Sequence, residues 1–238
     1  MIQRKKVNKM KKMHYLYGII AGMAIIIVLL VTSFEIAAYS NFKWYEKEYK
    51  KYDVCAELEM EMEDVMYVTE EMMDYLHGNR ADLVVDTVVD GEEREFFNDR
   101  EKMHMVDVLK MFQWGLDVRL VSALVAVFAI MLFAFTKGCW KKVLPISFVI
   151  GSGTFIGIAA LIGGIFASDF NKYFIMFHHM FFDNDLWLLD PATDLMIRML
   201  PEGFFFDMVI RIVVIFLISM FAFFGGSFYM WKRNKRNL

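Results

Sequence analysis

Cysteine is nearly missing from this chain: there are two in 238 residues, Cys55 and Cys139. Neither has a second cysteine or a histidine at ligand spacing, so there is no disulfide framework or zinc site to organise the fold. Cys55 also lacks the basic or histidine-rich surroundings that lower a thiol pKa, and it is not read as a nucleophile. No Gly-x-Ser-x-Gly elbow and no His-Glu-x-x-His pair occurs, which argues against serine-hydrolase and zinc-protease readings. Acid is absent from three separate segments, residues 1–14, 136–145 and 230–238, although all three are rich in lysine or arginine.

Apolar side chains are what the sequence has in quantity: 58% of residues are hydrophobic and 16% aromatic, beside 23% charged. That balance requires segregation, and the apolar residues fall into blocks at 15–38, 118–135, 146–167 and 208–229. Each is about long enough for a helix to cross a hydrocarbon core of about 30 Å. The first follows Arg4, Lys5, Lys6, Lys9, Lys11 and Lys12, but its apolar run is too long for the core of a signal peptide, and it reads as an uncleaved anchor. The three acid-free basic segments are assigned to the cytoplasm by the positive-inside rule. The fold class expected is therefore an α-helical polytopic cell-membrane protein with four transmembrane helices and both termini inside. A small, mainly helical cap, 39–117, and an interfacial loop, 168–207, stand on the extracellular face. The third block carries Gly151, Gly153, Gly157, Gly163 and Gly164. Its Gly153/Gly157 pair is a small-residue packing stripe rather than a phosphate loop.

Within the cap, Trp44, Tyr45, Tyr49 and Tyr52 alternate with charges, as expected of rings anchoring a helix in the headgroup layer. Val65, Val68, Met72 and Tyr75 recur at helical spacing and end at Gly78, which predicts a helix over 63–76 with a glycine C-cap. Residues 83–89 are rich in β-branched side chains and close on Asp90-Gly91, a strand and tight turn. Asn98-Asp99-Arg100-Glu101 is a capping box. The helix it opens places His104, Asp107 and Met111 on one face. Gly115, beside Trp114, is the expected bend, leaving residues 99–113 along the membrane surface. Arg119, Arg211 and Glu35, near span ends, are expected to snorkel to headgroups.

The stretch with most chemistry runs from Phe177 to Pro191. It sets His178 and His179 beside Asp183, Asn184, Asp185 and Asp190 within an aromatic run of about ten apolar residues, too short to cross a bilayer. It is expected to lie at the membrane surface. Five histidines occur, and His14 and His77 read as surface residues. Two outer segments, each bringing a histidine to the same layer, supply the proton acceptor and donor that acyl transfer between neutral groups requires. On helical spacing His178 and His179 point about 100° apart, so only one faces such a site.

His104-Met105-Val106-Asp107-Val108 before the second span, Phe177-His178 followed by Phe181-Phe182 and Trp187, and Pro201-Glu202-Gly203-Phe204-Phe205 resemble the lipoprotein intramolecular transacylases of Gram-positive bacteria. The resemblance extends over nearly the whole chain, with the two histidine blocks as its specific part. It implies that His104 and His178 are catalytic, while His179 falls outside the matching pattern. The implied substrate is a diacylglyceryl-modified lipoprotein, whose sn-2 acyl chain moves to the amino group of its N-terminal cysteine, giving the lyso form. Asp107 would support His104. Phe177, Phe181, Phe182, Asn184, Trp187 and Arg198 would bind substrate. No metal, nucleotide or external acyl donor is implied; membrane lipid is the only other partner, and nucleic acid is not one.

Three other readings compete. A membrane lipase or acyltransferase with an external acceptor would share the histidine pair. A divalent-metal enzyme would use His104, Asp107, His178 and Asp185. A non-enzymatic protein would bind partners through its acidic cap and sense pH through its histidines.

Overall fold

The computed structural model describes residues 2–135 and 169–236, together with 146, 153, 155 and 157. Apart from those four positions, the inner loop and the third expected span, 136–145 and 146–167, lie outside the described residues. In chain order the elements are α1 (Ile2–Tyr39), α2 (Lys43–Lys51), α3 (Val54–Leu58), α4 (Met62–His77), β1 (Asp86–Val89), β2 (Glu92–Glu95), α5 (Asp99–Phe135), α6 (Phe170–Phe181), α7 (Leu195–Met199) and α8 (Glu202–Arg236). Three described helices are long and apolar enough to cross a membrane, over Met13–Tyr39, Asp99–Leu132 and Glu202–Gly226. In α5 the charges Asp99, Arg100, Glu101, Lys102, Asp107, Lys110 and Asp117 precede Val118, and Arg119 directly follows it. The charges of this helix thus gather in its first half, and the uncharged half follows Arg119.

The bend expected at Gly115 is not a break in the helix: α5 runs unbroken from Asp99 to Phe135, so residues 99–113 form no separate surface helix. Glycine inside a helix costs about 1 kcal/mol relative to alanine. Opening the helix would orphan several backbone hydrogen bonds next to apolar surroundings, a larger cost. Glycine permits a bend without imposing one.

The chain divides into two compact units, and one of them, Glu35–Gly115 with Ser168–Arg211, holds most of the chemistry-bearing residues. Its core contains Tyr45, Tyr49, Val54, Leu58, Val65, Val68, Met72, Phe96, Phe97, Met196, Met199 and Phe204. The tyrosines expected as headgroup anchors are thus core residues, with Trp44 and Tyr52 packed partly buried against them. A ring with a polar tip suits an interface and a core equally, provided the hydroxyl finds a partner. Here it does: Tyr45 Oη donates to Ala38 O at 3.0 Å, and Tyr49 Oη lies 2.7 Å from Thr69 Oγ1.

Local signals elsewhere give the expected elements. The apolar stripe of α4 is buried and the helix stops at Gly78, whose φ of 85° is left-handed. β1 and β2 pair antiparallel from Asp86↔Glu95 to Val89↔Glu92. Asp90 and Gly91 have φ of 52° and 75°, the double positive φ of a type I′ hairpin turn. In the capping box, Asn98 N donates to Glu101 Oε2 at 2.8 Å and Glu101 N donates to Asn98 Oδ1 at 3.0 Å.

Arg211 does not snorkel. Its guanidinium carbon lies 4.6 Å from the centre of the Trp44 ring, and one terminal nitrogen is buried without a hydrogen-bond partner. One turn earlier, Asp207 accepts from Lys51 Nζ and from Tyr52 Oη at 2.6 Å, tying α2 to the start of α8. The other unit has its described interior at Ile26, Phe216 and Met220, with Phe155 against Phe216 at 5.3 Å between ring centres.

Two glycine substitutions separate these roles. A Cβ on Gly203 would collide with the hydroxyl-bearing edge of the Tyr52 ring, whereas one on Gly115 meets nothing. Gly203→Ala is expected to cost about 1–3 kcal/mol by overpacking. Gly115→Ala is expected to stabilise by about 0.5–1 kcal/mol. Thermal unfolding in detergent micelles measures both, and midpoints that fall equally would contradict the placement of Tyr52.

Candidate active site

Two helices and one loop of the cap-containing unit build this site. His104 lies one turn past the Asn98–Glu101 box on α5. Glu101 is fully buried, and its second oxygen, Oε1, accepts from Met196 N at 2.6 Å, so one carboxylate caps both α5 and α7. Burial pushes the Glu101 carboxyl up, against the hydrogen bonds from Met196 and Asn98 that hold it down. Beside it, Asn98 Nδ2 donates to Asp194 Oδ1 at 2.8 Å, and Asp194 Oδ2 accepts from Asp190 N at 2.7 Å.

His178 sits on α6, whose N-cap Asp169 accepts from Lys172 N. It is the one buried residue of that helix, and His179 is exposed. The ring centres of His104 and His178 are 6.2 Å apart. Buried Phe182 meets both, at 5.4 Å from His104 and 5.6 Å from His178. Trp187, also buried, stacks on His178 at 4.8 Å and 27°. His179 meets the Trp187 ring edge-on at 5.0 Å. Phe177 flanks His178 at 5.5 Å and Phe181 lies on Phe177 at 4.7 Å.

Burial biases both imidazoles toward the neutral form. Burial, then the neighbouring His178, pulls the His104 pKa from 6.5 to about 4; Asp107 opposes this. Burial likewise lowers that of His178, against the pull of the Phe174 carbonyl. His178 Nδ1 lies 2.7 Å from Phe174 O. A carbonyl only accepts, so Nδ1 carries the hydrogen and Nε2 presents its lone pair. His104 Nδ1 is buried without a hydrogen-bond partner.

The remaining expected residues distribute unevenly. Asp107 makes no bond to His104: Oδ2 accepts from Asn184 Nδ2 at 2.8 Å and Oδ1 from Lys110 Nζ at 3.0 Å. Burial alone would raise its pKa, but those two donors and the other charges around it hold it below the usual range. Arg198 turns to Glu57, with Nε 3.4 Å from Oε1. Asp185 offers its main-chain oxygen to Arg100. Among the described residues, no three histidine, cysteine, aspartate or glutamate side chains are grouped to hold a metal ion. Sequence reasoning missed Arg100, Asp194 and the second role of Glu101, because their partners lie about ninety residues away. The Phe174–His178 bond was readable, since i−4 on a helix is fixed by geometry alone.

The family profile described as lipoprotein intramolecular transacylase Lit matches residues 19–205, most of the chain. The chain belongs to the Lit family. Its structure is similar to that of the membrane-integral lipoprotein intramolecular transacylase Lit from Bacillus cereus. The TM-score is 0.79 at 21% identity, over 95% of this chain and 99% of that one. Two substituted forms of the Bacillus cereus Lit, each with one histidine replaced, also match. The arginine form gives 0.79 at 20% identity over 99% and 100% of the two chains; the alanine form gives 0.77 at 20% over 97% and 99%. At that identity the likeness establishes the Lit fold. A comparison with curated proteins gives no match.

Titration tests the electrostatics. In NMR of histidine-labelled protein, His104 is expected to stay neutral to about pH 4, and His178 to titrate below an ordinary histidine. Both folded pKa values lie below the unfolded one, so the unfolded chain binds protons that the folded one refuses. Their contribution to stability is complete above 6.5 and drains as pH falls toward 4. An ordinary titration midpoint for His104 would show that its ring is solvated.

Proposed function

We propose that this Lit-family protein moves the sn-2 acyl chain of a diacylglyceryl-modified lipoprotein to the amino group of its own N-terminal cysteine. The observation that carries the reading is a pair of buried imidazoles 6.2 Å apart between aromatic walls. The cysteine amine attacks the ester carbonyl: an N–C bond forms, the C–O bond to glycerol breaks, and one proton passes from nitrogen to the glycerol oxygen. His178 takes that proton at Nε2 and returns it. His104 stays neutral and donates an N–H to the oxygen on which charge develops. Two imidazoles this close in a buried site resist carrying charge together, so a single proton is exchanged and one ring remains a donor.

Geometry accounts for the need of an enzyme. Amine, Cα, Cβ, sulfur, two glycerol carbons, ester oxygen and carbonyl carbon close a ring of about eight members, which forms reluctantly unless its ends are held together. Phe177, Phe181, Phe182 and Trp187 bind the apolar substrate on this reading. The site faces the extracellular side of a four-span, N-in and C-in protein, in keeping with the positive-inside distribution of charge.

The assay is fragment mass spectrometry of a diacylglyceryl lipopeptide. Intramolecular transfer leaves the total mass unchanged and yields N-acyl-cysteine with a monoacyl glycerol. General acid–base groups each contribute about 10²–10⁴ in rate, so His104→Ala and His178→Ala are each expected to leave the substrate essentially unconverted, while His179→Ala keeps most activity. Loss of one acyl chain's mass would mean hydrolysis and would overturn the proposal, as would an inactive His179→Ala beside an active His178→Ala. For topology, a reporter at Gly91 is expected outside and one at Leu238 inside; both on one side would refute the orientation.

A further inference from the structure

Asn184 is exposed, yet every hydrogen bond found for it is made to the protein around the two histidines. Its side-chain Nδ2 donates to Asp107 Oδ2 at 2.8 Å. Its Oδ1 accepts from Leu186 N at 3.0 Å, which closes the loop locally. Its main-chain oxygen accepts from Trp187 Nε1 at 2.9 Å. The first bond reaches α5 at the position three residues past His104, on the same helical face. The last fixes the indole that stacks on His178 at 4.8 Å. A hydrogen-bonded link from one histidine-bearing helix to the ring covering the other histidine therefore passes through this residue.

We propose that Asn184 is a positioning residue for acyl transfer, setting the spacing of His104 and His178 by joining Asp107 to Trp187, rather than a substrate-binding residue. The proposal rests on the two-histidine reading above. The chemistry of the link dictates an amide. Asp107 is acceptor-only when ionised, so its partner must donate, and Leu186 N requires an acceptor on the same side chain. Asparagine supplies both from one short group. Glutamine would lengthen the link by one methylene, and aspartate would set carboxylate against carboxylate.

Reversing the polarity of the bond tests this. Asn184→Asp alone faces two acceptors and is expected to lower kcat by about 10–100-fold, the scale on which displacement of a reacting group by about an ångström acts. KM is expected to change little. Asp107→Asn alone keeps a donor and an acceptor and is expected to lose less than about tenfold. The double variant, with Asp107→Asn and Asn184→Asp, restores one donor and one acceptor and is expected to return kcat to the level of Asp107→Asn alone. A second readout needs no activity: with 5-fluorotryptophan, the Trp187 fluorine resonance, assigned by Trp187→Phe, should move in Asn184→Asp and return in the double variant. A double variant no better than Asn184→Asp, a loss confined to KM, or an unmoved Trp187 resonance would overturn the proposal. If the wild-type protein produces no N-acyl-cysteine, the parent reading fails, and the resonance experiment still decides whether Asn184 sets the ring.

Discussion

A carboxylate with no solvent exposure holds the histidine-bearing helix in register. Burying Glu101 is costly, because an unpaired ionised carboxyl away from water loses several kcal/mol of hydration. The cost is offset only while its oxygens keep the amides of Asn98 and Met196. Those two amides belong to the starts of different helices, otherwise orphaned donors at helix N-termini. One charge therefore satisfies donors on two elements and makes their separation unfavourable. His104 stands one turn along α5 from this fixed point. Asn98 and Asp194 repeat the device beside it, so the start of the helix is gripped from both sides of the capping box.

The same scarcity of water decides the state of the imidazoles. Desolvation is the largest influence on both rings and acts in one direction, toward neutrality. A neutral pair near pH 7 needs no counter-ion, and Asp107 is accordingly directed elsewhere, to Asn184 and Lys110. Their surroundings then differentiate the rings. His178 has a carbonyl fixing its tautomer, and protonation there is eased by that same oxygen. His104 has no partner at Nδ1 and lies close enough to His178 that a charge on one opposes a charge on the other. Division of labour between two identical side chains follows from those unequal environments.

What was legible in the sequence was what is decided locally. The capping box, the Gly78 stop and the Asp90-Gly91 turn depend on neighbours within a few residues, and each formed as its residue types dictate. The alternation of inward and outward imidazoles on α6 is likewise a matter of helical angle. Features set by distant partners were not legible. Tyr45 and Tyr49 carry the same amphipathic rings whether they meet headgroups or Ala38 and Thr69. Arg211 reads as a snorkelling cation until Trp44, more than 160 residues earlier, is placed beneath it. Gly115 lowers the cost of a bend without requiring a break, and the helix is continuous on both sides of it.

Asp107 and Asn184 show how such distant partners change a role. On helical spacing alone, Asp107 is the carboxylate sharing a face with His104, and orienting that ring is the natural role for it. In the folded protein its oxygens are taken by a lysine one turn on and by an amide from the loop after α6. A carboxylate already holding two donors has little capacity to orient a third, so its effect on His104 is through charge. Its mechanical effect passes the other way, through Asn184 to Trp187 and the stacked ring of His178. An acid on the same helical face as one histidine is therefore positioned to govern the placement of the other, which makes the spacing between the rings a property of the loop as much as of either helix.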